Sequence, residues 1–251
     1  MIIKIIILII IIYLILIIRK NNIENFYNKS LKINKYYIIN LDKDTERLRK
    51  FDIHTRKNNI KYFRFPAING RNLDENDFRL KKYFAKNLKK YSKAQKSCTL
   101  SHISIWEKIK QDKTTFNIIF EDDVIIPNNF NDKLKVYLEQ LPENWDILFL
   151  GGNKIIGKKY SKNLVKPDRH KFGNFGLFAY LINSRNINFI VDKCKNISLH
   201  IDKFIQKELG KELNLFFCNP QLIEHDYDNI SNIFNRNRKN ESKRNNKITL
   251  M

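Results

Sequence analysis

The chain opens on apolar positions without a period. Ile2 to Ile18 is apolar throughout except for Lys4, so a helix here has no polar face to turn toward water. As a helix it would span about 26 Å, close to the hydrocarbon thickness of a bilayer. Ile17-Ile18-Arg19-Lys20-Asn21 offers no small residues for a cleavage site. The pattern therefore predicts an uncleaved, single-pass membrane anchor over residues 1–20 rather than a signal peptide. Residues 21–33 are polar and read as a stem.

From residue 34 short apolar runs alternate with amphipathic stretches. Tyr36 to Leu41 is a compact β-rich run ending at Asp42. Asp44-Thr45-Glu46-Arg47 begins a helix that reaches about Asn58. Lys61 to Phe65 alternates like a strand, and Pro66 to Gly70 is a turn. Residues 71–93 are charged and less regular. Ser97 to Lys110 carries Leu100, Ile103, Ile105, Trp106 and Ile109 at helical spacing. Phe116 to Phe120 is a continuous apolar run, which predicts a strand buried on both faces. A helix over Leu134–Leu141 and a strand over Trp145–Leu150 follow, then a strand over Leu177–Ile182. Helices over Asn186–Lys195 and Ile201–Leu209 precede a last strand over Leu213–Phe217. Strands alternating with helices predict an α/β sheet flanked by helices. The polar, basic stretch 233–251 reads as a disordered tail.

Composition changes little. A hydrophobic fraction of 43%, with 18 Phe and 11 Tyr, is ample for a packed core and excludes a disordered chain. The formal charge of +21 suits anionic partners such as nucleic acid, acidic headgroups or phosphorylated substrates. It equally suits the drift toward Lys, Asn and Ile that an AT-rich genome imposes. The three cysteines, Cys98, Cys194 and Cys218, form no CxxC pair, which argues against a cysteine zinc site. Charges flanking the apolar segment, Lys4 before it and Arg19 and Lys20 after it, lean toward a cytosolic C-terminal part. Sequons at Asn28, Asn196, Asn229 and Asn240 permit a lumenal one.

The chemistry concentrates at Glu121-Asp122-Asp123, directly after the central strand. Carboxylates at the exit of a buried strand are costly unless their charge is compensated, and open α/β sheets bind ligands beyond strand C-termini. If the extended backbone persists, Glu121 and Asp123 project to one side and Asp122 to the other. Two aligned carboxylates suit Mn²⁺ or Mg²⁺, which neutralises a diphosphate leaving group as a Lewis acid. A solvated loop or a helix cap would use the same residues.

Neighbouring segments make the pattern more specific. In order they are Tyr37-Ile38-Ile39-Asn40-Leu41-Asp42 with Arg47, Phe65-Pro66-Ala67-Ile68-Asn69-Gly70, and Cys98-Thr99-Leu100-Ser101-His102 with Trp106-Glu107-Lys108. Ile119-Phe120-Glu121-Asp122-Asp123-Val124 and Trp145 to Gly151 follow. Further on come Gly176, Ala179-Tyr180-Leu181-Ile182, His200-Ile201-Asp202, and Pro220 to Ile223 with Ser231. Taken together they resemble glycosyltransferase family 25, the lipooligosaccharide and collagen galactosyltransferase family, over roughly residues 34–232. Ala94-Gln95-Lys96-Ser97 departs from the Gly-Glu pair of many members, and 151–175 has no clear counterpart.

The resemblance implies a GT-A-type fold, a Rossmann-like mixed sheet flanked by helices. It also implies inverting transfer of a hexose, galactose first, from a UDP-sugar to a glycan or protein hydroxyl. Asn40, Asp42, Arg47, Ser101, His102 and Asp122 are then donor-binding residues. Glu121, Asp123 and His225 would hold the metal, and Asp202 would be the base. The bland alternatives stay open: a turn at Asn40 and Asp42, a surface ion pair at Arg47, His102 packed on Trp106, a plain surface His225, and an N-cap at Asp202. Two other readings compete: a membrane-tethered basic module for nucleic acid or anionic lipid, and an inactive relative. Neither the family nor the acidic triplet leads to a specific nucleic-acid partner.

Overall fold

The computed structural model describes residues 6–18, 32–84, 89, 91–171, 173, 176–226 and 248–250. The chain divides into two units, Met1–Lys32 and Ile33–Met251. In the first, residues 6–18 form helix α1 with its apolar side chains exposed. At 1.5 Å per residue it covers about 20 Å, and no helix among the described residues is long and apolar enough to cross a membrane. The expected membrane anchor over 1–20 is therefore not shown by the described residues, which leave out 1–5, 19 and 20. Most of the stem predicted over 21–33, residues 21–31, lies outside the described residues.

The second unit is built on a mixed nine-stranded sheet of order β11-β6-β7-β9-β5-β8-β3-β1-β2. Its strands are β1 (Lys35–Asn40), β2 (Phe63–Pro66), β3 (Phe116–Glu121), β5 (Ile147–Phe149), β6 (Ile155–Lys159), β7 (Leu164–Pro167), β8 (Ala179–Asn183), β9 (Leu215–Cys218) and β11 (Ile248–Leu250). Strand β1 runs parallel to both β2 and β3, with Ile39 opposite Glu121. Strand β8 is antiparallel to β3 and β5 and sets Tyr180 opposite Ile119 and Phe149. A separate ladder pairs β4 (Val124–Ile125) with β10 (Glu224–His225), antiparallel.

The apolar run Ile118–Ile119–Phe120 has no exposed surface, as its lack of alternation requires. Helix α2 (Thr45–Lys57) follows β1. Helix α3 (Phe78–Phe84) lies in the charged segment that carried no clear period. Helix α4 (Lys93–Asp112) buries Leu100, Ile103, Ile105, Trp106 and Ile109 completely. It starts four residues before the apolar pattern because Ser92 and Gln95 close a capping box, each side chain bonding the other's backbone N–H. Helices α5 (Phe130–Leu138), α6 (Ile187–Lys193) and α7 (Ile201–Lys207) complete the described set.

One stretch had no expected element and one departs from expectation. The 151–175 region contains the antiparallel hairpin β6–β7. The tail predicted as disordered over 233–251 ends in β11, which adds in parallel to β6. Residues 227–247 and 251, including Ser231, lie outside the described residues.

Candidate functional site

Parallel pairing of β1 and β3 puts Asn40 and the acidic triplet at one end of the sheet. Strand β3 stops at Glu121, and a bend occupies Asp122 and Asp123 before β4 resumes. The bend cancels the period-two alternation on which the expected division of the triplet rested. Asp122 and Asp123 turn together toward α2, and Glu121 turns to α4.

Asp122 and Asp123 are buried, with 9% and 5% exposure. Arg47, near the start of α2, reaches them with Nη1, 2.9 Å from Asp122 Oδ1 and 3.6 Å from Asp123 Oδ2. Burial works against the guanidinium charge, but these two carboxylates outweigh it and raise its pKa. Asp122 is pushed up to about 6, first by burial and then by the charge of Asp123, against the pull of Arg47 and Asn40. Asn40 Nδ2 donates to Asp122 Oδ2 at 2.7 Å and to the Asp44 carbonyl at 3.1 Å. Its own carbonyl accepts from Arg64 Nε at 2.9 Å.

The short β4–β10 ladder sets His225 opposite Val124, and the Asp226 N–H donates to the Asp123 carbonyl at 2.7 Å. His225 Nε2 thereby comes within 3.3 Å of Asp123 Oδ2. The ring of Phe178 meets the imidazole edge-on, with centroids 5.2 Å apart. Asp123 and His225 could each offer one ligand atom to a cation, but with Asp122 they do not form a group of three such atoms within 4.8 Å among the described residues.

Glu121, expected beside Asp123 and His225, faces elsewhere. Its Oε1 lies 3.3 Å from His102 Nε2. Among the described residues, the His, Cys, Asp and Glu ligand atoms that gather within 4.8 Å of one another are those of Cys98, His102 and Glu121.

The remaining predicted residues divide. Ser101 is buried, accepting from the Ile68 N–H at 3.0 Å and donating to the Ser97 carbonyl at 2.8 Å, which ties the Pro66–Gly70 turn to α4. Asp42 pairs with Arg64 at the rim and is 82% exposed at its side chain. Asp202 Oδ1 accepts from the Lys203 N–H and Oδ2 from the Gly176 N–H, at 2.7 and 3.3 Å. Gly176 has φ +95°, and a Cβ there would press on the Phe178 ring, so Asp202 holds the loop that leads to the aromatic neighbour of His225.

Arg64 escaped the sequence reading. It alternates on β2 like any solvent-facing cation, and only the register of β2 beside Ile38 brings it to Asn40. Tyr180 escaped as a site residue because a tyrosine in an apolar strand reads as core.

Fold and site together define an α/β protein whose parallel strand ends carry a buried, arginine-bridged acidic cluster. That is where open sheets of this kind bind ligands. The family model described as "Glycosyltransferase family 25 (LPS biosynthesis protein)" matches residues 33–205, and the chain belongs to this family. It is 27% identical over 169 residues to "Procollagen lysyl hydroxylase and glycosyltransferase" of Acanthamoeba polyphaga mimivirus, covering 60% of this chain and 18% of that protein. It is 24% identical over 200 residues to a "Putative glycosyltransferase" of Haemophilus influenzae, covering 76% of this chain and 70% of that protein. A human protein named "Inactive glycosyltransferase 25 family member 3" is 32% identical over 71 residues, 27% of this chain and 12% of that protein. The chain thus spans less than a fifth of the mimivirus and human relatives. Family and relatives support glycosyl transfer as the general chemistry.

Proposed function

We propose that this chain is a GT-A-type hexosyltransferase. It moves a hexose, galactose first, from a UDP-sugar to a hydroxyl of a glycan or protein, with inversion and with Mn²⁺ or Mg²⁺. The observation that carries the reading is the pair Asp122 and Asp123, buried side by side with Arg47 between them and His225 against Asp123. Such a pocket gains from a further cation, and a cation there gains from a diphosphate. Asp123 and His225 are the donors that converge, with Asp122 behind them. When bound, the metal would supply charge neutralisation for the leaving diphosphate.

This chain's own residues supply the rest. Arg47, beside Asp122 and Asp123, would offer planar donors to phosphate oxygens. Arg64 and Asp42 lie at the β1 end, where a nucleotide base or ribose would rest. In the reaction the acceptor oxygen bonds to the anomeric carbon as the carbon–diphosphate bond breaks, and the acceptor's proton passes to a carboxylate. Asp202, whose loop abuts Phe178 and His225, is the base in this reading. The family description, which names LPS biosynthesis, and one relative named for procollagen support a glycan or a protein acceptor. The apolar run from Ile2 to Ile18 supports a membrane tether, which resistance to alkaline carbonate extraction would test.

The full chain, with Mn²⁺ and a panel of UDP-sugars, should hydrolyse or transfer from at least one donor. Asp123→Ala should abolish Mn²⁺-dependent UDP binding and leave the fold intact. A folded wild-type chain that binds Mn²⁺ and UDP but turns over no donor would instead place it with the relatives named inactive.

A further inference from the structure

Three buried side chains behind Glu121 have no part in the reading above. Trp106 and Tyr180 have no exposed surface and His102 has 1%. His102 and Trp106 stand four residues apart on α4 and therefore share a face. Tyr180 reaches them from β8. Trp106 Nε1 lies 2.9 Å from Tyr180 Oη, which lies 3.1 Å from His102 Nδ1, and His102 Nε2 lies 3.3 Å from Glu121 Oε1.

Counting protons gives this chain a direction. An indole N–H only donates, so Tyr180 Oη accepts from Trp106. The tyrosine then has one proton to give, and His102 Nδ1 is the acceptor within reach. A nitrogen that accepts carries no proton, so the neutral ring holds its hydrogen on Nε2, aimed at Glu121. The reverse tautomer would direct two N–H groups at one hydroxyl, leave the hydroxyl proton without an acceptor among the described residues, and set two lone pairs against each other at Glu121. Burial, and secondarily the charge of Glu121, push the Tyr180 hydroxyl well above its ordinary pKa, which keeps that proton in place.

We propose that Trp106, Tyr180 and His102 form a directional hydrogen-bond relay that fixes His102 as the Nε2–H tautomer and holds Glu121 from behind as an acceptor at the pocket mouth. Glu121 keeps 27% side-chain exposure, so a carboxylate held in this way remains reachable by a substrate hydroxyl or a cation. His102 and Tyr180 are positioning residues, and the expectation of a direct donor contact by His102 gives way to this role. Cys98, one helical turn before His102, offers an alternative use of the same atoms. Thiolate, imidazole and carboxylate together suit zinc. The two uses are mutually exclusive, because the hydrogen that the relay places on Nε2 leaves that nitrogen no lone pair for a metal.

The tautomer is read directly from long-range ¹H–¹⁵N spectra of the full chain, with the His102 signals assigned by their loss in His102→Gln. The expected pattern is a protonated Nε2 and a bare Nδ1, giving way to a tautomer mixture in Tyr180→Phe. A protonated Nδ1 in the wild type, or a pattern unchanged by Tyr180→Phe, would overturn the relay. A second arm rests on the nucleotide reading above. His102→Leu should weaken UDP binding in the presence of Mn²⁺ by about ten- to a hundredfold, as loss of a group that orients a site residue does. His102→Gln, which keeps an N–H near the Nε2 position, should stay within about threefold of the wild type. Equal losses in the two folded variants would refute positioning through that N–H. If the wild type binds no UDP, the nucleotide reading fails while the tautomer spectra still decide the relay. Finally, a thiolate-to-metal absorption band on titration with Co²⁺, lost in Cys98→Ser, would assign the trio to a metal and overturn the relay.

Discussion

Asn40 Nδ2 donates to Asp122 Oδ2 across 2.7 Å, which fastens the end of one parallel strand to the bend that follows its neighbour. The same amide accepts from Arg64 and donates to the Asp44 carbonyl, so one buried side chain sets the positions of a carboxylate, a cation and the turn before α2. Its exposure is 1%, leaving water little room to substitute.

Asn40→Ala should therefore cost about 1–3 kcal/mol, the usual penalty for depriving a buried charged group of a partner. A urea denaturation midpoint that falls with an unchanged slope is the expected result. Because Asp122 also loses its orientation, Mn²⁺-dependent UDP binding should weaken in the same variant. A midpoint within error of the wild type would show that Asn40 is replaceable there.

Arg47 stands between two buried carboxylates with 12% side-chain exposure. Arg47→Met leaves their repulsion uncompensated and should cost about 3–5 kcal/mol, as breaking one side of a buried ion pair does. Added Mn²⁺ should recover part of that loss, so the rise in Tm with metal should be larger in the variant than in the wild type. Equal metal shifts in the two proteins would separate Arg47 from the metal pocket.

Much of this frame was legible before the structure. The Phe116–Phe120 run, the Tyr36–Leu41 run and the helical stripe through Trp106 each bury enough apolar surface to decide their own conformation. Asn40, Arg47, Asp123 and His225 were readable as residue types beside those elements. What was not legible depends on long-range register or on a break in regularity. The bend at Asp122 and Asp123 has no local breaker such as glycine or proline, and it reversed the expected partner of Glu121. The β4–β10 ladder is two residues deep on each side, too short to leave a period, yet it delivers His225. Strand β11 lies in a polar context, where pairing with an exposed edge outweighs composition.

Asp122 also makes a pH prediction for the metal-free protein. Its folded pKa is about 6, while an unfolded aspartate titrates near ~3.9. Between those values the folded chain holds a proton that the unfolded chain has released. The sign follows: this contribution is fully present below about pH 4 and is lost as pH rises through about 6, by ~3 kcal/mol at most. With chelator present, urea unfolding of the wild type should show that decline. Asp122→Asn, which cannot titrate, should lack it. Parallel pH profiles for the two proteins would place the titration on another group.

Asp202 carries the sharpest test of mechanism, because its two oxygens already accept backbone N–H groups from Lys203 and Gly176. A carboxylate so occupied can cap a helix, tether a loop or still receive a proton. Asp202→Asn separates these uses, since the amide keeps one acceptor for the backbone but loses the charge. If Asp202 is the base, kcat should fall by about 10²- to 10⁴-fold, KM for the donor should change little, and the acidic limb of the pH–rate profile should disappear. If Asp202 acts only as a tether, the Gly176 loop should loosen against Phe178 and His225. Then KM for the donor should rise while kcat and the acidic limb persist. Steady-state kinetics on the best donor of the UDP-sugar panel, measured across a pH–rate profile, distinguish these patterns, and the tether pattern would move the base elsewhere, with Glu121 the next carboxylate to test.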